Sequence, residues 1–443
     1  MNQPDAQHHT NKYELKKVLG VGFGIAVLVG GTIGVGILRA PGTIAAQLNN
    51  YWLIILCWTI GGMYVLFGAG SFAEMATSMP RAGGTYNYVK RAFNDYFGFL
   101  IGWFDYIVNA IAPAYFCIVI SEYIVLLSPP LARHEKLIAI AFLLFFTLFH
   151  LGGVKNGSRA QQIMSLIKVI FFAILIVACF TVKVEHLPAA ESSPVVQSGM
   201  ILAFLRSLQL IMGAYDGWWT VCFFAEEDKD PSKNIPRSLF VGGITIMTIY
   251  IVLNMAILHV LPPSALQNST LAASDAARVV FGDSGATFVT VIAIASLVSI
   301  LNAYMMIPAR IIFGLSREGF FIRQGMVVNS GGTPVTGLLI TSALAVILIL
   351  VGSFEQLFSL DAFLAVGIMA SAFASHIKLR ISEPEMYRPF RAWGYPVVPV
   401  ILLLSTVCMF IGFSLNDPVS LIAVVIILLV SWPAYRLLNR NKT

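Results

Sequence analysis

The stretch LVGGTIGVGILRAPG, residues 28–42, places Gly30, Gly31, Gly34 and Gly36 inside a long apolar segment. Each glycine weakens a helix interior by about 1 kcal/mol relative to alanine, so the pattern predicts a helix break. Backbone groups released at membrane depth need protein or a polar cavity as partners. N–H groups where the helix resumes, near Val35, would attract an anion, and carbonyls before the break would accept from a cation. Such a break could therefore bind a zwitterion. Alternatively, the small residues could only allow two helices to pack closely.

A second stretch, LQLIMGAYDGWWTVCFFAEE at residues 208–227, interrupts another apolar segment with Gly213, Asp216 and Gly217. It lies five apolar segments after the first. Two broken helices five spans apart are typical of secondary transporters built from inverted repeats, whose substrate site lies between the breaks. The second interruption therefore favours a binding site over simple packing.

The composition indicates whether these breaks lie in water or in a membrane. Of 443 residues, 58% are hydrophobic and 11% charged, against about 25% charged residues in a typical soluble domain. We expect an all-α integral membrane protein with twelve spans of about 20 residues or more. The predicted spans are 18–47, 51–78, 95–127, 135–152, 160–182, 199–227, 237–261, 284–316, 334–352, 356–379, 397–413 and 418–436. The five cysteines have no paired or metal-binding spacing, so neither disulfides nor a metal is expected.

The basic residues predict the orientation, because cytoplasmic loops carry the excess of Lys and Arg. Placing both termini and the even-to-odd loops in the cytoplasm puts most of the 28 basic residues there. The net charge of +6 then reflects topology, and no nucleic-acid partner is expected. Because residues 1–17 are polar, we expect no cleavable signal peptide there. We expect a cytoplasmic tail at 1–17, repeats at 18–182 and 199–379, two further spans within 397–436 and a second tail at 437–443.

Six stretches carry a resemblance to a known family. They read GTIGVGI at 31–37, PRAGGTYNYV at 80–89, AYDGW at 214–218, EEDKDPSKNIPR at 226–237, RIIFGLSREG at 310–319 and EPEMYRPFR at 383–391. With them the chain resembles the amino acid–polyamine–organocation superfamily, and most closely its L-type amino acid transporters. The resemblance implies a leucine-transporter-type fold of five plus five inverted spans, with spans 1 and 6 broken, and amino acid transport by alternating access without a cofactor.

The resemblance also implies roles for residues at the breaks. Backbone N–H groups of Gly34, Val35 and Gly36 would hold the substrate carboxylate, and the carbonyls of Ile33 and Ala214 would accept from its amine. Gly213 stands where L-type relatives have an aromatic gate. Its loss widens the pocket or moves the gate to Met212, Trp218 or Trp219, and of the two tryptophans Trp219 is assigned to the substrate site. The loop 128–136 lacks the cysteine that joins heteromeric relatives to a heavy chain, so we expect no disulfide-linked partner.

Asp216 has two possible roles, because an acid near the bilayer midplane is costly and usually functional. It could pair with a substrate ammonium, which would favour cationic amino acids or polyamines. Alternatively, its carboxylate could cap the second half of span 6 by accepting from the N–H of Trp218 or Trp219. We favour the cap, since Asp is among the best N-cap residues, and keep Asp216 in the substrate site as the alternative.

Lys168 lies about ten residues past the basic markers Lys155 and Arg159, which places it roughly 15 Å deep in the membrane. A snorkelling lysine is the simpler interpretation. In the resemblance, a lysine here replaces a sodium ion and bridges the first break to span 8, where Ser296 and Ser299 are candidate partners. Glu226, Glu227 and Arg310 are assigned to an intracellular gate, which we call the inner gate.

These features predict a sodium-independent transporter of neutral amino acids in the plasma or bacterial inner membrane, working as an exchanger or a proton-coupled permease. A cationic amino acid or polyamine exchanger is the alternative within transport. A membrane amino acid sensor is the alternative from another class, although no soluble output domain is evident. An enzyme is not expected, because no catalytic cluster is found at a plausible spacing.

Overall fold

The computed structural model describes residues 13–182, 199–267, 269 and 271–440. Within these residues the chain is α-helical and forms no strand. The helices are α1 Val21–Thr32, α2 Val35–Leu48, α3 Tyr51–Ser78, α4 Tyr86–Ala92, α5 Asp95–Leu127, α6 Glu135–Leu151, α7 Val154–Thr181, α8 Met200–Ala214, α9 Pro231–Val260, α10 Pro263–Leu266, α11 Ala272–Phe281, α12 Ser284–Arg317, α13 Val335–Val351, α14 Phe354–Ser382, α15 Val397–Asn416 and α16 Pro418–Arg440. Short 3₁₀ helices cover Pro129–His134, Thr220–Glu227 and Arg323–Met326.

The helices follow the predicted apolar segments. In the described chain, nine are long and apolar enough to cross a membrane, and α1 with α2 makes a tenth span bent by 44°. The two remaining segments correspond to α8, which the 3₁₀ helix Thr220–Glu227 follows, and to α13, which has 17 residues. Helix α16 continues to Arg440, so the tail predicted from 437 begins inside this helix. Residues 1–12 and 441–443 of the predicted tails lie outside the described residues.

Both predicted breaks are present. Helix α1 ends at Thr32, and Ile33 and Gly34 adopt extended backbone conformations before α2 starts at Val35. Helix α8 ends at Ala214, and the following turn includes Gly217 with φ of +90°. That angle lies in the left-handed region that glycine adopts without steric cost. The glycines therefore mark the two places where the chain leaves helical geometry.

The packing brings the two breaks into the centre of the molecule. Helices α1 and α3 pack against α9, and α5 packs against α12 and α13. Helix α1 also contacts α7 and α12, so it lies between these two groups. The segment before α1 joins the end of span 6, because the N–H of Leu19 donates to the carbonyl of Glu227 over 3.0 Å. Helices α15 and α16 expose most of their apolar surface, as a helix facing lipid does.

Candidate substrate site

A cavity of about 520 Å³ lies between the two breaks. Gly34 and Gly36 line it from the first break, and Gly213, Ala214 and Asp216 from the second. The lining continues along α2 through Arg39, Thr43 and Gln47 to near the end of that helix, and it includes Arg206 in the first half of α8. The cavity is thus open toward the face where α2 ends and α8 begins. Its location agrees with the site predicted from the paired interruptions.

Bare backbone allows the two breaks to touch. A Cβ atom on Gly36 would lie 3.0 Å from Cα of Ala214, which is too close for comfortable packing. A Cβ atom on Gly217 would lie 3.1 Å from the carbonyl oxygen of Gly31. The hydroxyl of Tyr250 is 2.8 Å from the carbonyl oxygen of Ala214 and 3.1 Å from that of Thr32. Glycine contacts and one tyrosine therefore connect the two interrupted helices.

Lys168 binds the carbonyl end of α1. Its Nζ donates to the carbonyl of Gly30 over 2.8 Å and to that of Ile33 over 2.6 Å. The side chain is 1% exposed, so the lysine does not snorkel to the surface. Ser296 Oγ donates to the same Ile33 carbonyl over 2.8 Å. Ser299 accepts from Gln161 over 3.4 Å, so only one of the two candidate serines shares an acceptor with Lys168.

These contacts occupy one carbonyl that was predicted to bind the substrate amine. A carbonyl oxygen has two lone pairs, and that of Ile33 already accepts from Lys168 and Ser296. Both lone pairs are thus in use, and the role predicted for the Ile33 carbonyl toward a substrate amine stays a prediction that these contacts do not support. The carbonyl of Ala214 accepts from Tyr250 and keeps one lone pair. Ala214 therefore stays a candidate acceptor.

The predicted residues divide between the cavity wall and the protein interior. Five of them line the cavity: Gly34, Gly36, Gly213, Ala214 and Asp216. Val35 is the first residue of α2, and its side chain lies outside the described part. Ile33 and Trp219 are buried and do not line the cavity. The ring of Trp219 packs instead against Phe72 and Trp218, at centroid distances of 6.0 and 5.5 Å.

Asp216 does not make the predicted cap. No side chain caps the 3₁₀ helix that starts at Thr220, and Asp216 Oδ1 has no hydrogen-bond partner in the described chain. The carboxylate lies beside the N–H of Gly217 rather than those of Trp218 or Trp219. Because the turn after Ala214 is not yet helical, the capping position falls later in the chain. The prediction of a cap is wrong, and Asp216 faces the cavity.

Several cavity residues were not predicted from the sequence. Tyr115 and Phe116 contribute aromatic rings from α5, and Tyr304 contributes one from α12. Asp361 lies next to the cavity in α14 and is 3% exposed. Asp361 could have been identified from the sequence, because an acid in the middle of an apolar span is usually functional. The aromatic residues could not, because aromatic side chains are also common in ordinary helix packing.

The opposite face is closed by ion pairs. Arg310 binds Glu227 through two bonds of 2.6 and 2.9 Å, and both side chains are almost fully buried. Arg317 binds Glu226 over 2.8 Å at a more exposed position. The three residues predicted for the inner gate therefore lie together. Beyond the spans, the pKa of the Glu383 carboxyl lies below its usual value because Arg91 donates to it.

A second buried network closes the same face. Glu74 of α3 accepts from Arg380 over 2.6 Å and from the N–H of Ala392 over 2.7 Å. Arg388 lies 3.0 Å away and also donates to four backbone carbonyls, one in the last turn of α14 and three in the segment after it. This network joins α3 to α14. The cavity is consequently open on one side of the molecule and sealed on the other, as alternating access requires of one state.

Comparisons with known proteins support the same interpretation. The sequence profile of the family described as Amino acid permease matches residues 23–432. The chain is 28% identical to the serine/threonine exchanger SteT of Bacillus subtilis (strain 168), covering 98% of this chain and 99% of the relative. It is 27% identical to the b(0,+)-type amino acid transporter 1 of Mus musculus, covering 91% and 84% of the two chains.

The large neutral amino acids transporter small subunit 2 of Oryctolagus cuniculus is also 27% identical, covering 98% of this chain and 82% of the relative. These relatives are transporters rather than enzymes, and the helical architecture agrees with the leucine-transporter-type fold. The predictions of family, fold class and amino acid transport are confirmed. The chain belongs to the amino acid permease family of multi-pass membrane transporters.

Proposed function

We propose that the protein exchanges small neutral amino acids across a membrane without sodium. The observation that carries this proposal is the pair of bonds from Lys168 Nζ to the carbonyls of Gly30 and Ile33. These carbonyls end α1 and carry the negative end of its dipole. The fixed ammonium of Lys168 stabilises this helix end without a bound cation, so no sodium ion is needed at this position.

The zwitterionic part of the substrate matches the two breaks. The first turn of α2 has N–H groups without intrahelical partners, and such groups favour a carboxylate. Gly36 is exposed to the cavity, so an anion can approach the backbone closely. Cα of Ala214 lies against Gly36, and the carbonyl of Ala214 keeps one lone pair for an ammonium. Gly34, Val35, Gly36 and Ala214 are therefore the proposed contacts for the part that all amino acids share.

The wall near Gly213 is apolar and supports neutral side chains as substrates. No atom lies within 4 Å of a Cβ added at Gly213, so the position leaves open space. Phe358 and Ala362 of α14 form the facing wall. A relative covered almost end to end is a serine/threonine exchanger, and this similarity supports small side chains such as those of serine and threonine. Trp219 is not part of the proposed contact surface.

A second candidate substrate class is favoured by one observation. Asp216 lines the cavity, and its Oδ1 has no hydrogen-bond partner in the described chain. A carboxylate there attracts a side-chain ammonium. Cationic amino acids are therefore the alternative substrates of the same site.

The orientation and assembly are also proposals. The Lys- and Arg-rich face that holds the inner gate is assigned to the cytoplasm, so both termini lie in the cytoplasm and the cavity opens outward in the described state. The loop 128–136 contains no cysteine. We propose that the transporter works in the plasma or inner membrane without a disulfide-linked heavy chain.

Reconstitution in liposomes tests the proposed function. We expect labelled serine to enter liposomes preloaded with unlabelled serine equally well in sodium and in choline buffer. Lys168→Ala should lower this exchange about tenfold or more, because two buried carbonyls lose their donor. Lys155→Ala is the matched control, since Lys155 is exposed on the same helix. A strict sodium requirement, or full activity of Lys168→Ala, would disprove the assigned role of the lysine.

A further inference from the structure

Four uncharged polar side chains of α7 and α12 lie at the surface that these helices present to α1. They are Gln161 and Ser165 of α7 and Ser299 and Asn302 of α12, and we call them the inner polar cluster. Each of them is at most 4% exposed. A polar group inside a membrane protein is costly unless it is hydrogen-bonded. The bonds of the cluster therefore indicate which parts of the chain it holds together.

Two donors of α7 converge on one carbonyl of α1. Ser165 Oγ donates to the carbonyl of Ala26 over 2.7 Å, and Gln161 Nε2 lies 3.2 Å from the same oxygen. Gln161, Ser165 and Lys168 are spaced by four and three residues, so they lie on one face of α7. Lys168 continues this row with its bond to the carbonyl of Gly30. One face of α7 thus holds α1 at successive turns.

Helix α12 joins the same cluster through Gln161. Asn302 Nδ2 donates to Oε1 of Gln161 over 2.7 Å, and Ser299 Oγ lies 3.4 Å from Nε2 of Gln161. Gln161 consequently contacts α1, α7 and α12 at once. Asn302 and Arg310 are eight residues apart in α12, and Arg310 also donates to the carbonyl of Met306 between them. This spacing places the cluster and the inner gate on one face of α12.

Gly30 leaves the space that the cluster occupies. A Cβ atom on Gly30 would lie 2.0 Å from Nε2 of Gln161, 2.3 Å from Oγ of Ser165 and 2.9 Å from Oγ of Ser299. These distances are far below van der Waals contact. A Cβ atom on the next residue, Gly31, would instead meet its nearest neighbour at 3.6 Å. Because Gly30 lies within α1, the helix break does not account for it, whereas the approach of the cluster does.

The cluster and the inner gate hold the same elements together. The N–H of Leu19, just before α1, donates to the carbonyl of Glu227, whose carboxylate binds Arg310 of α12. Helix α1 is therefore joined to the closed face at its start and to α7 and α12 at the cluster. Bonds between uncharged groups suit a contact that breaks in every transport cycle. Each contributes less than a hydrogen bond to a charged group, and water can replace it.

We propose that Gln161 is a positioning residue for transport. Together with Ser165, it holds α1 against α7 and α12 while the inner face is closed, and both side chains leave the Ala26 carbonyl when that face opens. The inner polar cluster thereby sets the balance between the two openings of the transporter. This role requires alternating access but no particular amino acid, so it does not depend on the proposed substrates.

Distances between two spin labels test this proposal, with labels at Gly20→Cys before α1 and Lys155→Cys in α7. A Cβ atom on Gly20 meets no atom within 4 Å, and Lys155 is exposed. Cys408→Ser removes the exposed cysteine, and the other four cysteines are buried. We expect a main short distance and a minor long distance in this labelled parent protein. Ser165→Ala should raise the ratio of long to short distances about fivefold, because only the closed state loses a hydrogen bond.

A second variant and two controls accompany Ser165→Ala. Gly30→Ala should raise the ratio at least as much, because its methyl group displaces Gln161 and Ser165. Ser158→Ala is the matched control, since Ser158 is also buried in α7 and its hydroxyl accepts from Gln162 of the same helix. Gly31→Ala is the control for the glycine. The ratio should stay at the parent value in both controls.

The result that overturns the proposal is an unchanged ratio in Ser165→Ala and Gly30→Ala, whether or not their melting temperatures fall. A rise of the same size in Ser158→Ala would overturn it as well, and so would a labelled parent that exchanges amino acids yet shows only the short distance. Failure of the parent to exchange serine would refute the proposed function instead. The two distances and their ratio would still decide the role of the cluster.

Discussion

The hydroxyl of Tyr250 lies 2.8 Å from the carbonyl oxygen of Ala214, at the point where span 6 leaves helical geometry. The same hydroxyl lies 3.1 Å from the carbonyl oxygen of Thr32 at the end of α1. Tyr250 is fully buried in α9, and its ring packs edge-on against Trp58. One side chain of span 7 thus connects both breaks, and it has a single proton to share between the two carbonyls.

Tyr250→Phe should therefore lower both stability and exchange. The ring keeps its packing, while the buried carbonyls of Thr32 and Ala214 lose a donor at a cost of about 1–3 kcal/mol. We expect a lower melting temperature in detergent and slower serine exchange. Tyr387→Phe is the control, because Tyr387 is 82% exposed. Equal thermal stability and exchange in Tyr250→Phe and the unmutated protein would show that this hydroxyl does not support the breaks.

Gly36→Leu should abolish substrate binding while the protein still inserts in the membrane. A side chain at Gly36 would meet Ala214 at 3.0 Å and occupy the space where a carboxylate approaches bare backbone. Binding can be measured by the shift in melting temperature that serine causes. Gly412→Leu is the control, since a Cβ there meets no atom within 4 Å. Normal affinity in Gly36→Leu would contradict the assigned carboxylate site.

The sequence predicted the spans and breaks better than the orientation of individual side chains. Span length and glycine runs are local properties, and they placed α3 and α5 within their observed bounds. The depth of Lys168 followed from helix rise alone. By contrast, the orientations of the Asp216 and Trp219 side chains depend on how the chain turns after Ala214. Helical periodicity does not predict orientations there, because the turn is not a regular helix. Asp361 of α14 lies beside Asp216 in space, whereas the two are far apart in the chain and Asp216 lies in the turn after α8.

Gly213→Phe should narrow the range of substrates. The position has open space around it, and it lines both the main cavity and a small neighbouring pocket that Asp361 also lines. A phenyl ring there would occupy this space, so large and dibasic amino acids should lose more uptake than serine. Competition by the twenty amino acids against labelled serine measures this range. Unchanged competition by every amino acid would show that residue 213 faces away from the substrate path.

The two arginines of the inner face should differ in their contribution to stability. Arg310 and Glu227 are 2% and 0% exposed, whereas Arg317 and Glu226 are 30% and 23% exposed. Removal of one partner from a buried pair leaves an uncompensated charge and costs about 3–5 kcal/mol, while an exposed pair contributes about 0–1 kcal/mol. Arg310→Ala should therefore lower the melting temperature far more than Arg317→Ala. The double variant Arg310→Ala with Glu227→Ala should recover part of this loss, because the unpaired carboxylate is then absent. Equal losses in the two single variants, or no recovery in the double variant, would show that burial of the Arg310–Glu227 pair does not set its contribution to the closed inner face.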